Sequence, residues 1–510
     1  MRIGVLLALA PVAACGRIAF DPQVECGPLG GMGHPYANSQ QGADGIATPF
    51  LICSEAQLAA IAEHTEHWGS TFRLGADLDL TRPVAMIGTD TTPFTGALDG
   101  RDHVINHLRI DAPLEDLAGL FRYADGARFA NLTFVDAELH GHDNIGVLAA
   151  VAIDPTIENI HVQGRVFGNR GVGGVVGTID CPTCTHLVAT DVTADIEVVA
   201  TASNVGGVFG IVEATPSMGG VARIEGLVAL GSVFASNGVV GGAIGYGEGI
   251  DLSRSTSSAS VSTDGGDAGG LIADVADTTS VVRDSSASGQ VSCTRGLCGG
   301  LSGIQEGETI GCHATGRIAV CTNECAGLIA DAYGMVSRSY ATGDVLATQD
   351  VVGGLVALTG VGVRDSYATG VVTGRDRVGG LFGATIIGLT IERSYATGQV
   401  TATSAVGGLG GAGGTMAGST LVLVDSFATG AASGNTPAGT VSTLVGLNSF
   451  TVTTNAYWSA PCFNAAASCT ALGTMVADAS YFHTITNDPL TRWDFTNVWR
   501  EVPGALPQLR

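Results

Sequence analysis

Short apolar runs alternate with small and polar residues along most of the chain, and one phrase recurs at nearly constant spacing. Between residues 336 and 430, SYATG or SFATG occurs four times, with VGGL segments between the copies. The aromatic residue of this phrase, at Tyr340, Tyr367, Tyr395 and Phe427, returns after 27, 28 and 32 residues. A period of this size indicates a solenoid, a propeller or another repeat array.

The second glycine of the GGL-like motif extends this period over most of the chain. It occurs ten times, 26 to 35 residues apart, at Gly146, Gly174, Gly207, Gly242, Gly270, Gly300, Gly327, Gly354, Gly380 and Gly408. A coil of about 27 residues can hold three strands of about five residues and three turns of about four. Propeller blades need roughly 40 residues or more, and leucine-rich repeats need a different frame. The pattern predicts an all-β, three-sided parallel β-helix, and parallel crossovers are nearly always right-handed.

The segments on either side of the repeats predict end structures. Ser54 and Gln57 match a helix capping box, and the helical spacing that follows predicts an amphipathic capping helix from about Glu55 to His67. Large aromatics return after about residue 446, and we expect Trp458, Trp493 and Trp499 to cover the open end of the last coil. The predicted organisation is a signal peptide over 1–14, a flexible tether over 15–49, an N-terminal cap with the first coils over 50–145, repeats over 146–446 and a small C-terminal cap over 447–510.

The first fifteen residues predict export and anchoring. Arg2 precedes the apolar run VLLALAPVAA, which is too short to span a membrane and is typical of a signal peptide. The run ends in VAAC, which resembles the bacterial lipobox and so implies that Cys15 is lipidated and becomes the mature N-terminus. Ordinary cleavage at a small-residue site is the alternative. Arg17, at the second position after Cys15, favours the outer membrane or the cell surface as the location.

Composition narrows the possible partners. The formal net charge is -24, and all 23 basic residues are arginine. Nucleic acids and anionic lipids require a basic footprint, so neither is an expected partner. The lack of lysine excludes Schiff-base chemistry and the phosphate-loop lysine. Scattered acidic residues are more typical of a soluble surface than of calcium sites, and no EF-hand loop is present.

The cysteines predict disulfides. Apart from Cys15 and Cys312, they fall into neighbouring pairs, and oxidation is expected in an exported protein. The candidates are Cys26 with Cys53, Cys181 with Cys184, Cys293 with Cys298, Cys321 with Cys325, and Cys462 with Cys469. Pairing between coils, such as Cys298 with Cys325, is the competing arrangement. Cys312 aligns with the serine of SYATG and is interpreted as a small buried residue.

Three histidine-containing segments deserve comparison with metal sites. The stretch from His64 to His67 misses HExxH by one residue, and the stretch from His140 to Asp143 lies where a turn is expected. Cys181, Cys184 and His186 offer three ligands in a single segment. A solvated helix end, a polar turn and a disulfide explain these residues better than zinc does. We therefore predict no metal, no cofactor and no catalytic residues.

The phrases GGLVA, GGLFG and SYATG resemble the GLUG-motif repeats of bacterial surface and adhesin-like proteins and of some immunoglobulin A metallopeptidases. The segments ADLDL, FTGALDG and WDFTNVW resemble the usual flanks of such repeats, so the likeness covers roughly residues 50–510. The resemblance implies a surface scaffold. The peptidase branch would require HExxH, which this sequence lacks.

These observations favour a cell-surface lipoprotein that acts as a non-catalytic stalk or adhesin-like binding scaffold, with a surface polysaccharide or a protein as its ligand. The alternative is a polysaccharide lyase or hydrolase on the same fold. One structural prediction is specific. The residue before the SYATG serine is Arg338, Asp365, Arg393 and then Asp425, so stacked coils would form a column in which each charge meets an opposite charge above and below.

Overall fold

The structure is a computed structural model that describes residues 26, 35–36, 44–184, 186–215, 219–414, 420–435, 440–447 and 451–510. It is an all-β solenoid of about 14 turns built from stacked parallel sheets. The predicted fold class is therefore confirmed. The signal peptide, Cys15 and most of the tether lie outside the described residues. No helix in the described part of the chain is long and apolar enough to cross a membrane.

Each coil passes through three sheets in the same order, called here the long, second and third sheets, which contain 36, 11 and 12 strands. The second sheet consists of Asp143–Ile145, Arg170–Gly173, Val205–Gly206, Val240–Gly241, Ala268–Gly269, Cys298–Gly299, Cys325–Ala326, Asp350–Gly353, Asp376–Gly379, Val406–Gly407 and Val441–Ser442. The third consists of Phe121–Asp125, Ala149–Ile153, Val176–Cys181, Phe209–Ala214, Ile244–Glu248, Ile272–Val275, Ser302–Gln305, Ile329–Ala332, Val356–Thr359, Phe382–Thr385, Gly410–Ala412 and Val445–Leu447.

The long sheet changes character along the axis. Its first strands are Phe50–Ile52, Thr71–Leu74, Leu78–Asp79, Ala97–Asp99, Val104–Asn106 and Arg109–Asp111, followed by the long strands Arg128–His140, Thr156–Gly168 and Leu187–Ala200. Ala222–Glu225 and Val228–Ala235 come next. From residue 250 onward, three short strands replace each long one.

The short strands of the long sheet form three rows. The first row is Ile250–Ser253, Val281–Arg283, Glu308–Ile310, Val336–Ser337, Gly362–Arg364, Thr390–Glu392, Leu421–Val424 and Thr451–Thr454. The second is Thr256–Ser257, Ser286–Ala287, His313–Ala314, Tyr340–Ala341, Tyr367–Ala368, Tyr395–Ala396, Phe427–Ala428 and Tyr457–Trp458. The third is Ser260–Thr263, Val291–Cys293, Ile318–Cys321, Val345–Ala347, Val372–Thr373, Val400–Thr401, Ala432–Gly434 and Cys462–Asn464. One further strand, Thr474–Met475, pairs with the last strand of the second row.

The prediction of three five-residue strands in each coil was wrong. A repeat coil has three sheets, as expected, but five short strands, because its longest side is divided into three. The first division falls at a residue with positive φ, such as Arg338 at 50° or Asp365 at 48°. A left-handed residue bends the extended chain, and in the repeat coils the strand ends at this bend.

The second glycine of the GGL motif is required by the distance between coils. A Cβ added to Gly354 would lie 2.0 Å from the carbonyl oxygen of Gly380 in the next coil. The corresponding distance is 2.1 Å at Gly327 and 2.3 Å at Gly380. Any side chain at this position would therefore collide with the backbone of the neighbouring coil, which explains why this glycine recurs.

The N-terminal end is closed as predicted, with a shorter helix. The capping helix is Glu55–Glu63, and a separate 3-10 turn, Thr65–His67, follows it. Ser54 Oγ accepts a hydrogen bond from the Gln57 backbone N–H at 3.4 Å, and Gln57 Oε1 accepts one from the Cys53 N–H at 2.7 Å. These reciprocal bonds form the expected capping box, except that Gln57 bonds to the N–H of Cys53 and not to that of the N-cap residue Ser54.

The C-terminal segment does not cover the open end in the way predicted. Residues 476–510, called here the C-terminal strap, fold back along the side of the solenoid. Trp493 and Trp499 are buried there against Tyr367, Tyr395 and Phe427. Trp458 instead belongs to the last coil, where it pairs with Met475. Trp493 and Trp499 were placed wrongly because the sequence does not reveal that the SYATG aromatics form an apolar side surface.

Candidate functional surfaces

A column of left-handed residues runs along the long sheet through twelve successive coils. The register places in this left-handed column Asn131, Asn159, Asp191, Gly226, Arg254, Asp284, Gly311, Arg338, Asp365, Arg393, Asp425 and Asn455, and every one has positive φ. Glycine, asparagine and aspartate tolerate this conformation best, and arginine is the exception.

The predicted charge column is therefore real, but its alternating ion pairs are not complete. Arg393 donates to both carboxylate oxygens of Asp365, at 2.7 and 2.9 Å. The pKa of Arg393 is raised, chiefly by this bond with Asp365. Within the described residues no ion pair joins Arg338 to Asp365 or Arg393 to Asp425. The expectation that each charge meets a partner above and below was wrong, because Asp365 and Asp425 also bind the strap.

A buried serine column follows directly after the left-handed column. Each serine Oγ accepts a hydrogen bond from the backbone N–H of the equivalent residue in the preceding coil and donates one to the carbonyl two residues before it. Ser339 N–H donates to Ser366 Oγ at 3.1 Å, and Ser366 N–H donates to Ser394 Oγ at 3.2 Å. Ser366 Oγ in turn donates to the Arg364 carbonyl at 2.8 Å. The column supplies partners for backbone groups that the left-handed bend removes from the sheet.

Cys312 occupies the predicted place in the serine column. It is fully buried, and burial raises the pKa of its thiol to about 12. Its N–H donates to Ser339 Oγ at 3.1 Å, as a serine in this position would. Its complete burial and its bond to Ser339 confirm its interpretation as a small buried residue of this column.

The aromatic residues of SYATG stack beside the serines. Tyr340, Tyr367, Tyr395 and Phe427 have ring centroids 4.9 to 5.0 Å apart and nearly parallel ring planes. His313 extends this aromatic column by one coil, with its ring centroid 4.7 Å from that of Tyr340. The predicted stacking is confirmed. The column forms an apolar ridge on the outside of the solenoid.

The strap covers part of this ridge with polar bonds as well as apolar contacts. Trp493 Nε1 donates to the Asp425 carbonyl at 2.9 Å, and Trp499 Nε1 donates to Asp365 Oδ1 at 3.3 Å. The Tyr395 hydroxyl donates to the Pro507 carbonyl at 2.8 Å. Phe482 inserts into the stack next to Phe427, with centroids 3.9 Å apart. Tyr340 is only half-buried, so the covered part of the ridge begins at Tyr367.

Two adjoining clefts lie on the outer face of the first long strands. They have volumes of about 500 and 410 Å³ and share Arg109 and Glu138, which form an ion pair between them. The floor of the larger cleft includes Asp136, which has positive φ and lies where the pairing with the strand containing Gly164 shifts register. Such a bulge re-aims side chains and often borders binding sites. Nothing in the sequence period indicated these clefts, and the larger one is lined by the extra residue of a single coil.

The cysteines pair in the five neighbouring combinations expected from the sequence. The Cα–Cα distances are 6.0 Å for Cys26–Cys53, 5.1 Å for Cys181–Cys184, 6.0 Å for Cys293–Cys298, 6.2 Å for Cys321–Cys325 and 6.1 Å for Cys462–Cys469. The competing arrangement is close by, since Cys298 and Cys325 are neighbours in the second sheet. Among the described cysteines, Cys312 is the one outside a disulfide.

In the histidine-containing segments, the histidine side chains contact neighbouring polar groups or aromatic rings. His64 Nδ1 lies 2.9 Å from Glu66 Oε1 at the exposed helix end. His142 Nδ1 lies 2.8 Å from Asp116 Oδ1, and this contact is the main cause of a raised His142 pKa. His140 points elsewhere and stacks on Phe167. His186 Nε2 contacts the Pro155 carbonyl at 3.0 Å, away from the disulfide-bonded Cys181 and Cys184.

Comparisons with known proteins match only parts of the chain. No family model and no solved structure matches it. Halomucin of Haloquadratum walsbyi is 34% identical over 147 residues, which is 26% of this chain and 2% of halomucin. Immunoglobulin A1 protease of Streptococcus sanguinis is 35% identical over 94 residues, 18% of this chain and 5% of the protease. The Streptococcus pneumoniae enzyme is 31% identical over 123 residues, 22% of this chain and 6% of the enzyme. The chain thus matches small segments of much longer proteins.

Proposed function

We propose that this chain is a lipid-anchored cell-surface protein with GLUG-type repeats, and that its β-helix is a non-catalytic stalk or adhesin-like scaffold. The observation that carries the proposal is the continuous register of the left-handed column through twelve coils. Each coil adds roughly 4.8 Å, so about 14 turns extend roughly 65 Å along the axis. Such a rod can hold a binding surface away from its point of attachment.

The partial matches support a structural role for the repeats. They cover 2 to 6% of halomucin and of the immunoglobulin A1 proteases, so the shared part is a small segment of each large protein. A solenoid segment can recur in unrelated contexts because each coil contacts only its neighbours. Function therefore has to be tested on this chain itself.

The anchor is tested by changing Cys15 to Ser in the full chain, expressed in a Gram-negative host. We expect the wild type in the membrane fraction, surface-accessible to added protease on intact cells, and the C15S variant released. C312S is the matched control, since Cys312 is buried and outside any disulfide. Retention of C15S in the membrane would contradict lipid anchoring, and protection of the wild type on intact cells would contradict a surface location.

The non-catalytic part is tested with purified protein and a panel of acidic and neutral polysaccharides. We expect retention of one or more polymers on the protein without any change in their chain length. Size-exclusion chromatography of the polymers measures both. Shortened chains would establish the enzyme alternative instead.

A further inference from the structure

The two ends of the solenoid differ in how their outermost strands are covered. At the N-terminal end, all three residues of the first strand, Phe50–Ile52, are buried, and the capping helix Glu55–Glu63 follows directly. At the C-terminal end, Val445–Leu447 and Thr451–Thr454 each pair with the strand of the preceding coil. Among the strands that the structure describes, none pairs with either of them on the opposite side. Their outer edges therefore present backbone N–H and C=O groups to a further strand.

The chain itself covers another part of this end. Thr470 bridges to Ser442 in the second sheet, and Thr474–Met475 pairs with Tyr457–Trp458 in the long sheet. The core beneath is closed, since Leu444 is fully buried. What remains uncovered is the pair of strand edges described above and the side chains around them. A partner at this end would thus meet strand edges, not an open core.

The side chains around these edges are apolar. Leu447, Val452, Phe463 and Met475 are between 40 and 67% exposed, and each belongs to a different strand at this end of the solenoid. Strands at the edge of a sheet that combine free backbone groups with exposed apolar side chains are the usual sites of pairing between chains.

The same end of the solenoid carries no charge. Residues 426–477 contain no Asp, Glu, Arg, Lys or His, whereas the whole chain has a net charge of -24. Exposed strand edges are ordinarily protected by charged side chains, and this protection is missing here. Two copies repel each other along their acidic bodies, but the last coil adds nothing to that repulsion. A charged partner would find no complementary charge at this end, while a second copy presents an equally neutral surface.

We propose that the C-terminal end of the solenoid binds the same end of a second copy, with the Thr451–Thr454 edges pairing antiparallel across a two-fold axis. A head-to-tail contact would instead have to reach the buried strand Phe50–Ile52 beneath its cap. Like ends related by a two-fold axis bring together edges that run in opposite directions, which suits an antiparallel ladder. Threonine and valine favour strands. Such a contact uses the same surface on both copies, so assembly stops at the dimer.

The contact forms between chains in solution and does not require the proposed anchor. In a chain anchored through Cys15, the C-terminal end would be the end farthest from the attachment, so the contact would join two facing surfaces. That consequence rests on the proposed function. Release of the C15S variant tests the anchor, and self-association of the purified chain tests the contact, so the failure of one is distinguishable from the failure of the other.

The main test is sedimentation velocity of the purified full chain at increasing concentration. We expect a monomer–dimer equilibrium with a dissociation constant of about 10 µM, as for a small interface. V452E/F463E places four like charges at the contact, two from each copy, and should weaken dimerisation at least tenfold. The control L114E/V320E adds the same charge at two exposed positions away from this end and should dimerise like the wild type. A wild type that stays monomeric at about 100 µM, or equal weakening by both variants, would overturn the proposal.

Two further measurements on the wild type locate the contact without any substitution. Small-angle X-ray scattering should show that the longest dimension roughly doubles in the dimer, because the two solenoids meet end to end. A dimer no longer than the monomer would mean side-by-side packing, and a series of larger oligomers would mean a head-to-tail contact; either result refutes the two-fold arrangement. Hydrogen exchange of the Thr451–Thr454 amides should be slower in the dimer, and unchanged exchange would refute pairing of these strands.

Discussion

The long-strand coils at residues 128–200 and the repeat coils at residues 312–458 both bend at the left-handed column. They differ in how the backbone continues after the bend. Both contain the left-handed column, as at Asn159 and Asp365. In the long-strand coils an apolar residue follows, such as Ile160, and its backbone pairing continues with Leu132 and Val192 on either side. In the repeat coils a buried serine follows, and its hydroxyl bonds to the adjacent coil.

The difference shows that the bend alone does not interrupt the sheet. An apolar residue after it points into the core and keeps the ladder intact, whereas serine replaces part of the ladder with side-chain bonds. The serine is accompanied by an aromatic residue facing outward, which creates the ridge that the strap covers. In the repeat coils the sheet is thus interrupted, and an apolar ridge is formed that another segment can cover.

The largest expected effect concerns the feature that both regions share. Added Cβ atoms at Gly174 and Gly354 would lie 2.1 and 2.0 Å from the carbonyl oxygens of the next coil. We expect G174A and G354A each to lower the free energy of unfolding by about 3 kcal/mol or to prevent folding, because backbone must shift in either case. Urea unfolding followed by circular dichroism measures this.

G69A is the matched control for these variants. A Cβ at Gly69 would meet only Thr95 Oγ1, at 3.5 Å, which is ordinary contact. We expect its stability to remain within about 0.5 kcal/mol of the wild type. If G354A behaves like G69A, the neighbouring coils can separate and the close approach is not what selects glycine.

The next effect should be confined to the repeat coils. Trp499 is fully buried between the strap and the rings of Tyr367 and Tyr395. W499A should weaken strap docking by about 3 kcal/mol and so expose residues 476–510 to protease while the solenoid stays folded. Y340A, in the same column but only half-buried, should leave the strap protected. Simultaneous unfolding of strap and solenoid in W499A would show that the two are one cooperative unit.

A smaller loss of stability is expected when the serine hydroxyl that follows the bend in the repeat coils is removed. S366A removes the acceptor of the Ser339 N–H and leaves that buried donor unsatisfied, which should cost about 1 to 3 kcal/mol. C312S should leave the free energy of unfolding unchanged or raise it slightly, because serine occupies the equivalent position in the other repeat coils. Denaturant midpoints compare the two. A larger loss for C312S than for S366A would mean that packing, and not hydrogen bonding, determines the column.

The smallest effect belongs to the charges. R393Q should cost about 1 kcal/mol, since Arg393 makes a bidentate, partly buried bond to Asp365. R338Q should cost less than about 0.5 kcal/mol, because no ion pair joins Arg338 to Asp365 in the structure. Thermal midpoints at low and high salt would separate the two. Equal losses would restore the continuous charge ladder expected from the sequence.

The sequence predicted the parts of the structure that repeat and failed at the parts that occur once. The period yields the parallel β-helix, the stacked aromatics and the column position of Cys312, and proximity along the chain yields the five cysteine pairs. It did not reveal the strap, because Trp499 lies 134 residues from Asp365, to which it donates a hydrogen bond. The bulge at Asp136 also depends on a single coil. Their pairing and burial follow from three-dimensional contacts that no local pattern encodes.

The glycine column limits how such a protein can change its length. An insertion within a strand would displace the glycine from the carbonyl above it. Turns absorb extra residues, as the spacing of 26 to 35 residues between these glycines shows, but they do not lengthen the rod, whereas a duplicated whole coil lengthens it and keeps every column. Length should therefore vary in whole coils. The strap narrows this further, because it spans the ridge from Tyr367 to Phe427 at fixed spacing. Added coils fit best before His313, so the rod can lengthen there without disturbing the surface held beneath the strap.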